Sequence, residues 1–164
     1  MIRNKTAAPY FRLLDTENNE YALADLRSGK PLVIHFCRGA FCPTAHKDLL
    51  LYNDLYDRIQ GLGADLVAIS VDTPQELRRL KHQLGLQFPM LSDGDFSVSE
   101  RYGIYLSDEV EAGPQPHGEP AVFVLDADGK IVFSQVQSGP KAHANPADIV
   151  MILLFMAQNG GRYW

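Results

Sequence analysis

Two cysteines, Cys37 and Cys42, stand five positions apart in a chain that has no others. A pair at that spacing is either a redox pair or two unrelated thiols, and alone it is too small for a four-ligand metal site. The segment that carries them runs Phe36-Cys-Arg-Gly-Ala-Phe-Cys-Pro-Thr44. Proline is tolerated in the first turn of a helix, so Pro43 puts Cys42 at a helix start. Unpaired amides and the positive end of the helix dipole favour a thiolate there, and the thiolate is the nucleophilic form of the residue. Arg38, four residues earlier on the same tight loop, adds a fixed positive charge. Gly39 and Ala40 keep the loop small enough for backbone to approach a ligand. The plainer reading of Cys42 is a small half-buried residue with no special reactivity. Position 45, where a Cys-x-x-Cys motif would place its second thiol, holds Ala45, which excludes dithiol exchange through that motif.

Histidines near this loop are the next candidates. His46 follows Cys42 by one helical turn at i, i+4, where an imidazolium would hold a thiolate and a neutral ring would relay a proton; otherwise it is a solvated helix residue. His35 alternates with Ile34 and Phe36 and reads as a core histidine. Cys42 with His35 and His46 is a poor metal set, lacking a matching carboxylate. His82, His117 and His143 have no visible partners and read as surface residues.

The elements that must position this loop follow from periodicity and turn signals. Phe11–Asp15 and Glu20–Ala22, joined across Asn18-Asn19, predict a hairpin. Leu32–Phe36 is a buried strand, and Cys42 to about Gly61 is an amphipathic helix with Leu50, Leu51, Leu55, Ile59 and Leu62 along its apolar face. A second buried strand covers Leu66–Val71. Thr73-Pro-Gln-Glu76 is a capping box that opens a helix lined by Leu77, Leu80 and Leu84 and closed by Gly85. Phe88–Ser92 predicts a short strand, and Asp95 caps a short helix through Tyr102. Asp72 and Asp93, at strand ends, read as caps and turn formers. Gly103 to Glu119 is irregular. Ala121–Leu125 and Lys130–Ser134, joined by Asp126-Ala-Asp-Gly129, form a hairpin, and Asn145-Pro146 opens a last helix through about Gln158. Alternating strands and helices demand a mixed sheet flanked by helices, an α/β thioredoxin-like plan with an N-terminal β-hairpin extension.

Composition bounds the rest. The chain has 164 residues, 46% hydrophobic and 21% charged, with a net charge of −5, which fits one globular domain over 1–164 and excludes disorder as its main state. The acidic balance argues against nucleic acid or an anionic membrane as a partner. The longest apolar run, Ile149 to Ala157, is about half the ~20 residues of a membrane span. No secretory h-region follows Met1, and the expected setting is cytoplasmic.

The motifs in this order resemble those of the peroxiredoxins, the alkyl hydroperoxide reductase and thiol-specific antioxidant (AhpC/TSA) family. The loop Phe36-x-Arg38-Gly39-x-Phe41-Cys42-Pro43 is similar to that of a thioredoxin-like subgroup, and Cys42-Pro43-Thr44 matches the Cys-Pro-Thr of many members. Ala8-Pro9-Tyr10-Phe11, Leu66–Asp72, Phe88–Asp93, Tyr102-Gly103 and Pro120–Lys130 extend the resemblance over nearly the whole chain. It implies a thiol peroxidase in which Cys42 attacks a hydroperoxide and becomes a sulfenic acid, with Arg38 beside it. The family's Pro-x-x-x-Thr-x-x-Cys pattern is absent, with His35 and Gly39 in the proline and threonine positions, which leaves Thr44 or a backbone amide for the peroxide-binding role. Glu119 stands where the family typically carries a second arginine, and a carboxylate near a thiol raises its pKa. Pro120 sits where thioredoxin-like folds carry a cis-proline facing the reactive cysteine, a place for docking a substrate or partner. Cys37 is either the resolving thiol, which needs Cα atoms within about 7 Å of each other, or a packed core cysteine. In the second case the reductant is an outside thiol such as thioredoxin, glutaredoxin or a small thiol. A thiol–disulfide oxidoreductase and a non-catalytic redox-sensing module are the alternatives. No cofactor or metal is expected. The nearly all-apolar last helix, or the region of Phe41 and Tyr102, is expected to contribute to a homodimer.

Overall fold

The computed structural model of the chain describes residues 2–107, 116–139 and 144–164. Its centre is a seven-stranded mixed sheet in the order β2-β1-β5-β4-β3-β8-β9. These strands are β1 (Arg12–Asp15), β2 (Glu20–Ala22), β3 (Leu32–Phe36), β4 (Asp65–Ser70), β5 (Met90–Ser92), β8 (Ala121–Leu125) and β9 (Ile131–Val136). Strands β3, β4 and β5 run parallel, and β8 pairs antiparallel with β3, Phe36 opposite Ala121. The expected N-terminal hairpin is part of the same sheet, because β1 pairs antiparallel with β5. Its turn is held by Asp15, whose Oδ1 accepts from the amides of Glu17 and Asn19.

Period-two alternation sends side chains of the central strands to opposite faces. Val33, Leu66, Ala68, Val122 and Val124 pack with Cys37 and Cys42 under α2 (Pro43–Gly61), α3 (Pro74–Leu84) and α5 (Pro146–Ala157). Leu32, Ile34, Phe36, Val67, Ile69 and Phe123 pack on the other face with Leu23 and Leu26 of α1 (Leu23–Arg27) and Val98 of α4 (Ser97–Arg101). The two faces make this a helix–sheet–helix sandwich, as the alternation of elements requires.

Three local expectations are corrected. The buried face of α2 is Ala45, Leu49, Tyr52, Tyr56 and Ile59, whereas Leu50 and Leu51 are exposed. The tyrosines supply much of the apolar contact, Tyr56 edge-on to Phe88, while Ile59 is buried as expected and Leu55 and Leu62 pack partly buried against the core. The first turn of α4 is held by Asp93 more than by Asp95. Asp93 is fully buried and accepts from the amides of Val98 and Ser99 and the Ser99 hydroxyl, while Asp95, at the surface, accepts from Ser97. Within the stretch expected to be irregular, β6 (Leu106–Ser107) and β7 (His117–Gly118) form a two-stranded antiparallel sheet. Gly113, Pro114 and His143 lie outside the described residues. The capping box of α3 forms as expected, with Thr73 and Glu76 exchanging hydrogen bonds, and Asn145 caps α5 through the Ala147 amide. Among the described residues no helix is long and apolar enough to cross a membrane.

Candidate functional site

The loop between β3 and α2 carries the candidate chemistry. The amide of Cys37 donates to the carbonyl of Ile69, so the β3 edge continues one residue past the strand and then turns sharply. Gly39 takes φ +131°, a left-handed backbone that a side chain rarely adopts. A Cβ at that position would lie 2.8 Å from Asp72 Oδ2. That same oxygen accepts from the Ala40 amide at 2.9 Å and from the Ser70 hydroxyl at 2.9 Å. Glycine thus lets the loop close onto a carboxylate at the end of β4. Burial pushes the Asp72 carboxyl up, opposed by the Ala40 and Ser70 hydrogen bonds.

Cys42 is the N-cap of the 19-residue α2, with Pro43 in its first turn. Its amide donates to the Gly39 carbonyl, and its own carbonyl accepts from the His46 amide. Nη1 of Arg38 lies 3.5 Å from Cys42 Sγ, as expected from their spacing on the loop. Thr44 occupies the second helical position, half-buried. Among the described residues its hydroxyl forms no hydrogen bond with Cys42 or Arg38. His46 sends its ring across the loop, and because a carbonyl only accepts, Nε2 donates to Ala40 O at 2.7 Å. The imidazole tip therefore braces the loop. Pro120 is buried just before Ala121 on β8, and its carbonyl accepts from Gln137.

Arg38 is itself held. Its Nη2 lies 3.3 Å from Glu119 Oε1 and 3.0 Å from His117 Nε2, and its Nε pairs with Glu119 Oε2 at 3.0 Å. The guanidinium also stacks near Phe41, 5.4 Å from the ring centre, and Phe41 meets His117 edge to face. Arg38, His117 and Glu119 are 7%, 1% and 3% exposed, so this is a desolvated polar cluster on the wall of the cysteine. Burial works against the Arg38 charge, but Cys42 and Glu119 more than offset it and hold the guanidinium above its usual range. His117 is therefore a buried member of the site and not a surface residue. The sequence carried one clue to it, its place two positions before Glu119 in a strand-like alternation, but nothing that linked it to Arg38.

Cys37 points into the core beneath α2, 3% exposed. Burial pushes its thiol far up, and the charges of Asp72 and Asp48 push in the same direction. Both cysteines are free thiols. His35 is buried against the ring of Tyr52. Among the described residues no group of three or more His, Cys, Asp or Glu is arranged to hold a metal ion.

Comparison with known proteins places this geometry among relatives. The profile of the AhpC/TSA family matches residues 5–134. A putative peroxiredoxin of Mycobacterium tuberculosis is 34% identical over 128 residues, 78% of this chain and 81% of the relative. Peroxiredoxin Bcp of Escherichia coli is 31% identical over 125 residues, 76% of this chain and 79% of the relative. The crystal structure of peroxidoxin BcpB from Mycobacterium tuberculosis superposes with a TM-score of 0.79 at 23% identity, covering 94% of this chain and 97% of that one. That likeness shows the same thioredoxin-type fold.

Proposed function

The chain belongs to the AhpC/TSA family of peroxiredoxin-type thiol peroxidases, and we propose that Cys42 is the residue that attacks the peroxide. One observation carries the assignment: the guanidinium of Arg38 donates to Sγ of a cysteine that caps a long helix. A fixed cation and a helix N-terminus both favour the thiolate over the thiol.

In the reaction, the Cys42 thiolate attacks one oxygen of hydrogen peroxide or an organic hydroperoxide. A sulfur–oxygen bond forms as the O–O bond breaks. Sulfur loses two electrons and becomes a sulfenic acid, and the departing oxygen takes a proton and leaves as water or an alcohol. Arg38 offsets the negative charge that builds on that oxygen, the role of a preorganised donor in a dry site. Thr44, at the second position of α2, supplies a hydroxyl for the bound peroxide, and His46 keeps the loop closed through Ala40.

Recovery needs a thiol that is readily ionised, and burial makes Cys37 the reverse. The reductant is therefore an external thiol, whether thioredoxin, glutaredoxin or a small thiol. It attacks the sulfenic sulfur, water leaves, and a second thiol reduces the mixed disulfide. Pro120 marks the docking side for that partner, next to the residue that pairs with the end of β3. Two free thiols suit a reducing compartment such as the cytoplasm. The exposed Met151 and Phe155 of α5 are the surface for a homodimer, whereas Tyr102, 1% exposed and packed on Phe11, Phe36 and Phe123, is unavailable to a partner.

The deciding experiment mixes reduced protein with stoichiometric hydrogen peroxide and follows intact mass over time beside a Cys42→Ser control. Oxidation orders of magnitude faster than a free thiol, lost in the control, is expected. A gain of one oxygen is the one-cysteine outcome. A rate no faster than a free thiol overturns the assignment, and a loss of two hydrogens makes Cys37 the resolving partner.

A further inference from the structure

The acid at position 119 stands where a second cation would be the simpler way to hold a thiolate. Its carboxylate is not aimed at the sulfur. Both its oxygens face Arg38: Oε1 accepts from Nη2 at 3.3 Å, and Oε2 lies 3.0 Å from Nε as an ion pair whose alignment falls short of a hydrogen bond. With those two nitrogens fixed, the planar fork has one group left to project, and that group, Nη1, is the one on Cys42 Sγ. His117 adds a third point of contact. A guanidinium only donates, so His117 Nε2 accepts from Nη2 at 3.0 Å.

We propose that Glu119 and His117 are positioning residues for the peroxidase reaction: together they turn the Arg38 guanidinium so that Nη1 faces Cys42. The inference rests on Cys42 being the peroxide-attacking thiol. Glu119 acts by charge and His117 by an acceptor nitrogen, and both act on Nη2, while Nη1 is the group on the sulfur.

The two possible roles of Glu119 predict opposite signs. If it were only a neighbouring negative charge, its removal would increase the thiolate fraction and speed oxidation. If it aims Arg38, removal slows oxidation per thiolate, because displacement of a reacting group by about 1 Å costs up to about a hundredfold. The test measures the single-turnover rate of Cys42 oxidation by hydrogen peroxide from pH 5 to 8.5, with the thiolate fraction followed separately by ultraviolet absorbance. Glu119→Ala and His117→Ala are expected to lose about tenfold or more in rate per thiolate. Glu119→Gln, which keeps one acceptor and loses the ion pair, should fall between them and the wild type. His117→Gln, which keeps an acceptor for Nη2, should stay closer to the wild type than His117→Ala. Thermal unfolding checks that each variant is folded, and the two glutamine variants keep the test open if the alanine ones are not. Wild-type rates per thiolate in His117→Ala and Glu119→Gln, or faster oxidation in Glu119→Ala, overturn the positioning role. A wild type that reacts no faster than a free thiol instead overturns the Cys42 assignment on which it rests.

Discussion

Cys37 and Cys42 are five residues apart, lie in the same apolar cluster and are 3% and 4% exposed, yet the charges beside them are of opposite sign. Equal burial therefore leaves the two thiols in different electrostatic settings. Cys37 ends a strand, its amide bound to Ile69 and its side chain under α2 with the nearest charges, Asp72 and Asp48, of the wrong sign. Cys42 starts a helix and has a guanidinium on its sulfur. Five residues of chain suffice to carry one thiol from the interior of the sheet to the positive end of α2, because Gly39 reverses the backbone between them. The lesson is that a cysteine's neighbours in space, in particular the sign of the closest charge, outweigh its accessibility.

The largest effect tests the comparison directly. Cys42→Ser should cut peroxide reduction by at least about a thousandfold, the size of loss when a nucleophile is removed, whereas Cys37→Ala should leave it within a few-fold. Peptide mapping after oxidation should place the added oxygen on Cys42. Oxygen on Cys37, or equal losses in the two variants, would erase the distinction between the sites.

Arg38→Lys comes next, since it keeps the charge and removes the fork. An ammonium cannot span Glu119 and reach the sulfur together, so the oxidation rate should fall about tenfold to a hundredfold at a pH where Cys42 is ionised. An unchanged rate would mean that charge near the thiol is sufficient and its direction is immaterial.

Gly39→Ala probes the turn that separates the two thiols. The new methyl group would meet Asp72 Oδ2 at 2.8 Å in a backbone conformation that strains any side chain. A stability loss of about 1–3 kcal/mol is expected in denaturant unfolding, with slower oxidation because Cys42 and Arg38 share the loop. A variant as stable and as active as the parent would show that the loop has another conformation available.

Most of the frame of this site can be read in advance, and the reason is locality. The apolar run of β3, the proline after Cys42 and the arginine four residues before it all act within one short stretch, so spacing alone places thiol, cation and helix end together. The capping box of α3 and the Asp126 turn are legible for the same reason. What stayed hidden acts at long range. His117 and Glu119 reach Arg38 across 79 and 81 positions of chain. They do so from a two-residue strand and the residue that follows it, in a stretch that reads as irregular. Glu119 was visible as an acid in place of a base, but the sign of its effect depends on which atom it touches. A carboxylate facing sulfur would oppose the thiolate, and one facing guanidinium nitrogens steers the group that favours it. The buried stripe of α2 is only partly legible for a different reason, since Tyr52 and Tyr56 bury rings that a count of aliphatic residues passes over, while Ile59 is buried as that count predicts.

Asp72 offers the smallest and sharpest adjustment of the contrast between the two thiols. Its charge is the second cause, after burial, of the high Cys37 pKa. Asp72→Asn keeps an oxygen for the Ala40 amide and the Ser70 hydroxyl while removing the charge. In a Cys42→Ser background, labelling of Cys37 by a small thiosulfonate should rise only about two- to threefold, the effect of a charge interaction near 0.5 kcal/mol. Burial, the larger cause, is left in place. The same substitution has a pH signature of known sign. The Asp72 carboxyl is pushed up on folding, so its contribution to stability is complete below the unfolded aspartate pKa and fades as pH rises through the higher folded value. The wild type should lose stability relative to Asp72→Asn across that window, just above the usual aspartate range, and the difference should then stay constant toward neutrality. A variant that is less stable at neutral pH, with Cys37 no easier to label, would show that the ionised carboxylate is worth more as an anchor for the loop than it costs to bury, and that Cys37 is silenced by burial alone.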